Sequence, residues 1–347
     1  MRRVILPHHI DPDPAPADGV LRDFAGRSMG TSWSVRLVAT AALDDAQLQY
    51  SLQRGLQQQL DSVVAEMSHW ENDSDLGRFN RAEAGNWQVL PPAFFDVLSF
   101  AMEVSRLSGG ACDPCAGTLV NLWGFGPHGR FDQADFMAPS PAALAAARAH
   151  LAASPVVLAE GRRAQQPGGI ALDLSAVAKG YGVDRLAYYL KTLNIHHFVV
   201  EVGGELRGAG VKPDGQPWWV ALEQPGAAGT AADTDELVLA LHGLAVATSG
   251  DYRRYFELDG KRYSHTIDPR SGMPIANDLA SVTVVHGQCM AADAWSTALT
   301  VLGPVDGLAL AERQGLAARF VERRANGAGG LDYIETMSTH LRSMLDE

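Results

Sequence analysis

Cysteine and positive charge are both scarce in this chain of 347 residues. The three cysteines, Cys112, Cys115 and Cys289, cannot all pair within the chain. Cys112 and Cys115 form a C-x-x-C unit, but no second pair or finger-spaced histidine pair accompanies it, so we interpret both as small, partly buried thiols rather than zinc ligands. The formal net charge of −12 argues against non-specific nucleic-acid binding, which requires a basic face, but it permits a nucleotide ligand accompanied by a cation.

Long apolar runs are missing as well. No run reaches the ~18 residues that a membrane-spanning helix needs. Only three apolar residues stand between Arg3 and Pro7, which is too short for a signal-peptide core, and no lipid-accepting cysteine lies near the start. We therefore expect a cytoplasmic protein. We also predict a flexible leader over residues 1–19, one domain over residues 20–324, and a linker with a tail over residues 325–347.

Apolar periodicity predicts helices interspersed with antiparallel-looking strands. A strand pair is expected over Arg22–Val38, around a turn at Met29-Gly30-Thr31. Further strands are predicted at Val156–Leu158, Ile170–Leu174, Phe198–Val202, Trp218–Leu222, Leu237–Leu241, Leu244–Ala247, Ser281–Val285 and Ala317–Val321. Helices are predicted from Leu48 to Val64, from Pro92 to Leu107, at residues 141–153 and 176–193, and around Asp293, ending at Gly303-Pro304. Because no regular β-α-β spacing is present, the pattern indicates an α+β fold rather than a doubly wound sheet.

Two runs near the C-terminal end concentrate polar groups. SHTIDPRSGMP begins at Ser264 and AADAWSTAL begins at Ala291. On a helix, Asp293 and Thr297 project oxygen atoms from one face, which suits a hard divalent cation near a phosphorylated ligand. His265 is a candidate acid or base. Each residue also has a structural interpretation, since Thr297 can bond its own helix and Asp293 can favour the helix dipole.

A second candidate region follows a predicted buried strand. Asp173 lies on that strand, and Lys179 lies one turn inside the next helix, where a cation can approach phosphates. The glycine-rich stretch of a Walker loop is missing before the lysine. Asp173 can equally cap the helix, and Lys179 can be solvated. The pair Gly203-Gly204 permits the close approach of a ligand or of another backbone.

Taken together, these runs resemble the ApbE family of flavin transferases. The matching runs occur in the family's order and span most of residues 22–323. They are MGTSWSV from Met29, MSHWENDSDLGRFN from Met67, GGACDPCAGTLVNLWGFG from Gly109, LDLSAVAKGYGVD from Leu172, VGGE from Val202, ATSGDYRRYF from Ala247, SHTIDPRSGMP and ADAWSTAL. The resemblance implies an ApbE-like fold, related to the T-fold, with two lobes of mixed and antiparallel sheets packed against helices.

The resemblance also implies a magnesium-dependent enzyme that transfers FMN from FAD to a threonine of an acceptor flavoprotein and releases AMP. It implies that Asp293, Thr297 and the backbone carbonyl of Ala176 hold the metal, and that His265 activates the threonine. The implied FAD contacts are Met29, Trp70, Ala111, Cys112, Asp113, Asp173, Lys179 and Ile267. The acceptor is expected to be an electron-transfer or membrane redox protein.

The sequence departs from the family at several points. Trp70 stands where tyrosine is common, and Cys112 and Cys115 stand where phenylalanine and threonine are usual. The family's lipoprotein leader is also missing, so a periplasmic location is the alternative to a cytoplasmic one. Two other activities remain open. One is a magnesium-dependent FAD pyrophosphatase that uses water as the nucleophile, and the other is an FAD carrier without turnover.

Overall fold

Helices and strands are interspersed along the chain. The computed structural model describes residues 3–10, 13–40, 45–224, 236–251, 254–326 and 330–346. Within these ranges the helices are α1 (Ala46–Met67), α2 (Asp75–Asn80), α3 (Pro92–Leu107), α4 (Gly117–Leu122), α5 (Pro141–Ala153), α6 (Ala178–Thr192), α7 (Cys289–Gln314) and α8 (Thr339–Arg342). The strands are β1 (Arg3–Ile5), β2 (Val20–Ser28), β3 (Thr31–Ala39), β4 (Trp87–Val89), β5 (Val157–Ala159), β6 (Arg163–Gln165), β7 (Phe198–Val202), β8 (Glu205–Ala209), β9 (Trp218–Ala221), β10 (Leu237–Leu241), β11 (Ala245–Gly250), β12 (Tyr255–Leu258), β13 (Lys261–Ser264), β14 (Ile267–Asp268), β15 (Met273–Pro274), β16 (Leu279–His286), β17 (Ala317–Ala325), β18 (Leu331–Met337) and β19 (Leu345–Asp346).

The central structure is an antiparallel sheet. In the part of the chain that the structure describes, it runs in the order β18-β17-β16-β11-β8-β7-β3-β2. A smaller sheet, ordered β19-β1-β10-β9, packs on one face, and α1, α3, α6 and α7 pack on the other. The arrangement confirms the α+β class that the sequence predicts.

Burial of the large sheet on both faces explains the apolar sequences of its central strands. In β16, Val282 and Val284 pack towards the helices, while Val285 packs towards the smaller sheet. In β11, Ala247 packs towards the helices and Val246 packs towards the smaller sheet. Successive side chains of a strand point to opposite faces, so a strand covered on both faces is apolar throughout.

Helix α7 crosses the core and kinks where the sequence predicts a stop. Gly303 has non-helical dihedral angles (φ 81°, ψ −179°), and Pro304 follows it, so two helical halves meet there. The helix is also long and apolar enough to cross a membrane, with a mean hydropathy of 1.2, which the sequence-based expectation missed. Because 61% of that apolar stretch is buried inside the protein, α7 has the character of a core helix.

The local predictions near the N-terminus are confirmed. Strands β2 and β3 pair through a two-residue turn at Met29 and Gly30, whose φ angles of 51° and 72° match the twist of a tight hairpin. Helix α1 buries Leu52, Leu56 and Leu60, among others, at the spacing of one helical face.

The structure differs from the sequence-based expectation at both ends of the chain. The residues expected to form a loose leader include β1, which pairs with β10 and β19 and buries Ile5 completely. The expected tail includes β18, which extends the large sheet beside β17. Such short strands are ordered by partners far along the chain, which local periodicity does not reveal. Residues 1–2 and 11–12 of the predicted leader and residues 327–329 of the predicted linker lie outside the described residues.

The predicted strand Ile170–Leu174 is wrong. Its side chains alternate between the core and more accessible positions, as in a strand, but only Ala171 forms a bridge, to Ala116. The amide side chain of Asn80 takes the place of a neighbouring strand, since it accepts from the Leu172 N–H at 2.7 Å and donates to the Leu172 carbonyl at 2.9 Å. The predicted pattern of burial is therefore correct, but a side chain, and not a second strand, forms the hydrogen bonds to this backbone.

Candidate active site

A polar cleft gathers most of the residues singled out in the sequence. It has a volume of about 320 Å³, and α6, α7, β8, β11 and their connecting loops contribute to its walls. The predicted residues that line it are Trp70, Ala111, Cys112, Asp113, Asp173, Ala176, Lys179, His265, Ile267, Asp293 and Thr297. Met29 is not one of its lining residues, because the β2–β3 turn places its side chain against Gly182 of α6.

The N-terminus of α7 is fixed by a carboxylate from α6. Asp184 accepts hydrogen bonds from the Cys289 N–H at 3.0 Å and from the Met290 N–H at 2.9 Å, one with each oxygen. The side chain of Arg207 pairs with the same carboxylate. The first N–H groups of a helix have no partner within the helix, and the N-cap residue of α7 provides none, so Asp184 takes that role. The two helices are thus held in register at the edge of the cleft.

Asp293 lies one turn further along α7, deep in the wall. It is 3% exposed, and its Oδ2 accepts a hydrogen bond of 2.9 Å from the Gly180 N–H. A Cβ at position 180 would lie 2.4 Å from the Cys289 carbonyl oxygen, so only glycine allows the helices to approach this closely. Burial raises the pKa of the Asp293 carboxyl, while the charge of Lys179 and the Gly180 N–H oppose the shift.

Lys179 is ion-paired rather than merely solvated. Its Nζ donates to Oε1 of Glu205, a buried residue of β8. Burial alone would lower the pKa of Lys179, but the charges of Asp293 and Glu205 outweigh it and raise the pKa to about 12. Sequence reasoning missed Glu205 as a site residue, although it ends the VGGE run; the signal available was an acidic residue just after paired glycines.

The residues of the cleft suit a hard divalent cation. No group of three or more His, Cys, Asp and Glu side chains within the described ranges is arranged to hold a metal ion, but the implied ligand set needs only one carboxylate. Glu205 Oε2 is buried without a hydrogen-bond partner, and Asp293 lines the same cleft. The cleft therefore holds two buried carboxyl groups but only one ammonium, that of Lys179. Carboxylate oxygens are ligands that Mg²⁺ prefers.

The hydroxyl of Thr297 belongs to a small cluster at the end of β11. Ser249 Oγ lies 3.1 Å from Thr297 Oγ1 and 2.8 Å from Ser296 Oγ. Ser249 and its neighbours Thr248 and Gly250 line the cleft. Thr297 thus faces the cleft side of α7, one turn beyond Asp293.

Two further aspartates that line the cleft are held by turns. Asp173 Oδ1 accepts from the Ser175 N–H at 2.8 Å and lies 3.5 Å from His69 Nδ1, so it caps a local turn rather than helix α6 itself. Asp113 Oδ1 accepts from the Cys115 N–H at 2.8 Å, and burial raises the pKa of this aspartate. These bonds orient the loops that carry the two carboxylates.

The cysteines behave as the sequence suggested. Cys112 is partly buried, Cys115 and Cys289 are buried, and all three are free. Burial, reinforced by neighbouring carboxylates, raises the pKa of the Cys112 thiol to about 12. A thiol with so high a pKa is a packing group and not a nucleophile.

His265 is a neutral imidazole with one ring nitrogen free. Its Nδ1 lies 3.0 Å from the Arg254 carbonyl, which can only accept, so Nδ1 carries the hydrogen and Nε2 is left with a lone pair. Burial lowers the pKa of His265 to about 4, and the charges of Arg254 and Lys179 act in the same direction. The imidazole is therefore neutral at physiological pH.

Aromatic and guanidinium groups form the entrance of the cleft. Trp70 is 43% exposed, and the guanidinium groups of Arg130 and Arg254 lie 5.9 and 6.0 Å from its ring centroid. Arg254 also lies 5.8 Å from the ring of Phe125 and donates to the Phe125 carbonyl at 3.0 Å. Neither arginine was singled out in the sequence, because both positions depend on loops that fold around Trp70.

Comparison with known proteins identifies this architecture. The model of the ApbE family matches residues 29–320. The chain is 37% identical over 312 residues to the FAD:protein FMN transferase of Haemophilus influenzae, which covers 88% of this chain and 87% of that relative. It is 38% identical over 309 residues to a FAD:protein FMN transferase of Klebsiella pneumoniae, which covers 87% of this chain and 84% of the relative.

Solved structures agree with the sequence relatives. The apo form of the Pseudomonas stutzeri flavinyl transferase ApbE superposes with a TM-score of 0.82 at 37% identity, covering 94% of this chain and 97% of that one. The flavin transferase ApbE of Vibrio cholerae also has a TM-score of 0.82, at 33% identity, covering 94% and 99%. The resemblance inferred from the motifs is confirmed over most of the chain, and this protein belongs to the ApbE family.

Proposed function

We propose that this chain transfers FMN from FAD to a threonine hydroxyl of an acceptor flavoprotein, in a magnesium-dependent reaction that releases AMP. The relatives named FAD:protein FMN transferase support the transfer of FMN. The observation that carries the proposal is the buried Asp293 carboxylate, held by Gly180 in the same cleft that Lys179 and His265 line.

The reaction breaks one phosphoanhydride bond, that of FAD, and forms one phosphoester bond, that to the threonine. The threonine Oγ attacks the phosphorus of the FMN half of FAD, and the bond between that phosphorus and the bridging oxygen of AMP breaks. The hydroxyl proton passes to Nε2 of His265, the nitrogen left free by the bond from Nδ1 to the Arg254 carbonyl. A neutral imidazole is required for this role, and its lowered pKa provides it.

The remaining residues bind and orient the substrate. Asp293, Thr297 and the carbonyl of Ala176 would hold Mg²⁺, which when bound neutralises charge on the diphosphate. Lys179 keeps its positive charge because Glu205 and Asp293 surround it, so it is available to the phosphate oxygens. Trp70 offers an exposed aromatic face at the entrance, suited to a flat ring system.

The test is a reconstituted transfer. The chain is incubated with FAD, Mg²⁺ and an acceptor domain bearing the threonine, and the acceptor is analysed by mass spectrometry. We expect a mass increase of one FMN and one AMP released for each adduct. Release of FMN and AMP without adduct would instead establish the pyrophosphatase, and tight FAD binding without turnover would establish the carrier. Replacing the acceptor threonine with alanine provides the matched control.

A further inference from the structure

The two side-chain oxygens of Glu205 differ in their surroundings. The residue follows the Gly203-Gly204 turn and begins β8, and its side chain is 5% exposed. Oε1 accepts a hydrogen bond from the ammonium of Lys179, whereas Oε2 is buried and has no hydrogen-bond partner in the described part of the chain. Both Glu205 and Gly203 line the cleft.

An unpartnered carboxylate oxygen in the interior is costly. Leaving a buried charged acceptor unsatisfied costs more than leaving a neutral one, so native proteins normally provide a partner or bind an ion there. The cleft thus holds two carboxyl groups, those of Asp293 and Glu205, and one ammonium paired with Glu205, that of Lys179. A ligand that donates hydrogen bonds and carries positive charge is the complement of this arrangement.

We infer that Glu205 is part of the magnesium site, accepting with Oε2 a hydrogen bond from a water molecule of the cation's hydration shell. The inference rests on the magnesium dependence in the proposed function. Mg²⁺ keeps several of its waters and binds proteins through one or two carboxylates, so a buried acceptor on the cleft that Asp293 also lines suits its outer shell. Glu205 thereby has two partners, the ammonium on Oε1 and the hydrated cation on Oε2.

The simpler alternative is that Glu205 only fixes Lys179. In that case its effect on metal binding would depend entirely on the lysine. A direct contribution to the cation and an indirect one through Lys179 can be separated, because the two carboxylate oxygens face different partners.

The experiment measures Mn²⁺ binding to the full chain without FAD, by the EPR signal of free Mn²⁺. We expect Glu205→Gln, which keeps the shape and removes the charge, to weaken Mn²⁺ binding about tenfold. Glu201→Gln is the matched control: Glu201 lies in the same hairpin, does not line the cleft, and its Oε1 accepts from the Gly204 N–H at 2.7 Å, a bond that glutamine can retain. The control is expected to bind Mn²⁺ as the unmodified chain does.

A second variant separates the direct role from the indirect one. In a Lys179→Gln background, Glu205→Gln should still weaken Mn²⁺ binding about tenfold. Loss of the effect in that background would overturn the inference, since Glu205 would then act only through the lysine. Mn²⁺ binding by Glu205→Gln equal to that of the unmodified chain would overturn it as well. Thermal unfolding of each variant checks that it is folded.

The transfer assay, run in parallel, distinguishes this inference from the proposed function. Glu205-dependent Mn²⁺ binding without FMN transfer would support the cation site and refute the transferase. FMN transfer together with Mn²⁺ binding that Glu205→Gln leaves unchanged would refute only the inference.

Discussion

The two sides of the cleft are built differently. One side, the helix wall, consists of Lys179, Glu205, Asp293 and Thr297, on α6, β8 and α7. Its ionic groups are ion-paired or bound to backbone, and α6 and α7 are in close contact at Gly180. The other side, the loop wall, consists of Trp70, Arg254 and His265 on connecting segments, where aromatic and cationic side chains cover one another and remain partly exposed.

The difference separates two tasks. Charge on a diphosphate is stabilised best by groups that do not reorganise, and the helix wall provides such groups. An acceptor protein must enter and leave, and the loop wall offers the exposed surface that this exchange requires. We therefore expect substitutions in the helix wall to abolish chemistry or destabilise the fold, and substitutions in the loop wall to alter rate or affinity with little loss of stability.

The largest effect should come from the carboxylate at the centre of the helix wall. Asp293→Asn can still accept from the Gly180 N–H but loses its charge, so FMN transfer should fall on the order of 10³-fold with the fold retained. The adduct is measured by mass spectrometry and the fold by circular dichroism. Asp306→Asn, at an exposed position of the same helix, is the control and should transfer normally. Near-normal transfer by Asp293→Asn would remove the metal assignment.

His265→Ala tests the catalytic group of the loop wall. Removing the base should slow transfer about 10²-fold. The affinity for FAD, measured by flavin fluorescence, should change much less, because the imidazole acts on the threonine rather than on FAD. Equal losses in rate and affinity would show that His265 is a binding residue.

Gly180→Ala tests how tightly the helix wall is packed. The new Cβ would lie 2.4 Å from the Cys289 carbonyl oxygen and 2.8 Å from Asp293 Cβ, so the variant should lose about 2 kcal/mol of unfolding free energy. Gly287→Ala is the matched control, since a Cβ there meets no atom within 4 Å. Urea unfolding of the two variants measures the difference. Equal stability would show that the two helices can move apart.

The pH dependence of stability tests whether His265 is neutral. Its pKa falls from 6.5 to about 4 on folding, so the unfolded chain takes up the proton first as the pH drops. The stability that depends on the neutral form is present above pH 6.5 and is lost progressively down to pH 4. When the pH is lowered from 7 to 5, the unfolding free energy of His265→Gln should therefore decrease by about 2 kcal/mol less than that of the unmodified chain. Equal losses in urea unfolding would contradict the assignment.

The smallest effect should come from the entrance. Trp70→Ala removes a partly exposed ring and should weaken FAD binding about fivefold without changing stability. Trp70→Tyr keeps an aromatic face and should bind FAD nearly as the unmodified chain does. A large loss of stability in Trp70→Ala would show that the loop wall is as rigid as the helix wall.

Local chemistry in the sequence predicted much of the site. The spacing of Asp293 and Thr297 on a helix and the position of Lys179 one turn into another follow from helical geometry, and the structure places all three on the cleft. The hairpin around Met29-Gly30-Thr31 follows from turn geometry in the same way. Periodicity also predicted most of the core strands.

Long-range pairing accounts for what the sequence did not reveal. The hydrogen bonds from Cys289 and Met290 to Asp184 join residues more than a hundred positions apart, and the pairing of Lys179 with Glu205 depends on how β8 lies beside α6. The false strand at Ile170–Leu174 has the same cause, since the group that pairs with its backbone is a side chain from α2. Periodicity reports which face is buried and not what covers it.

The pairing of β1 with β19 has a consequence for engineering this protein. Because these two strands are neighbours and Leu6 donates its N–H to the Met344 carbonyl at 2.8 Å, the described residues near the two ends lie side by side. A short peptide could link them, and the chain could be reopened at an exposed hairpin to give a circular permutant. Fusion partners attached at either end would likewise start from one place on the molecule.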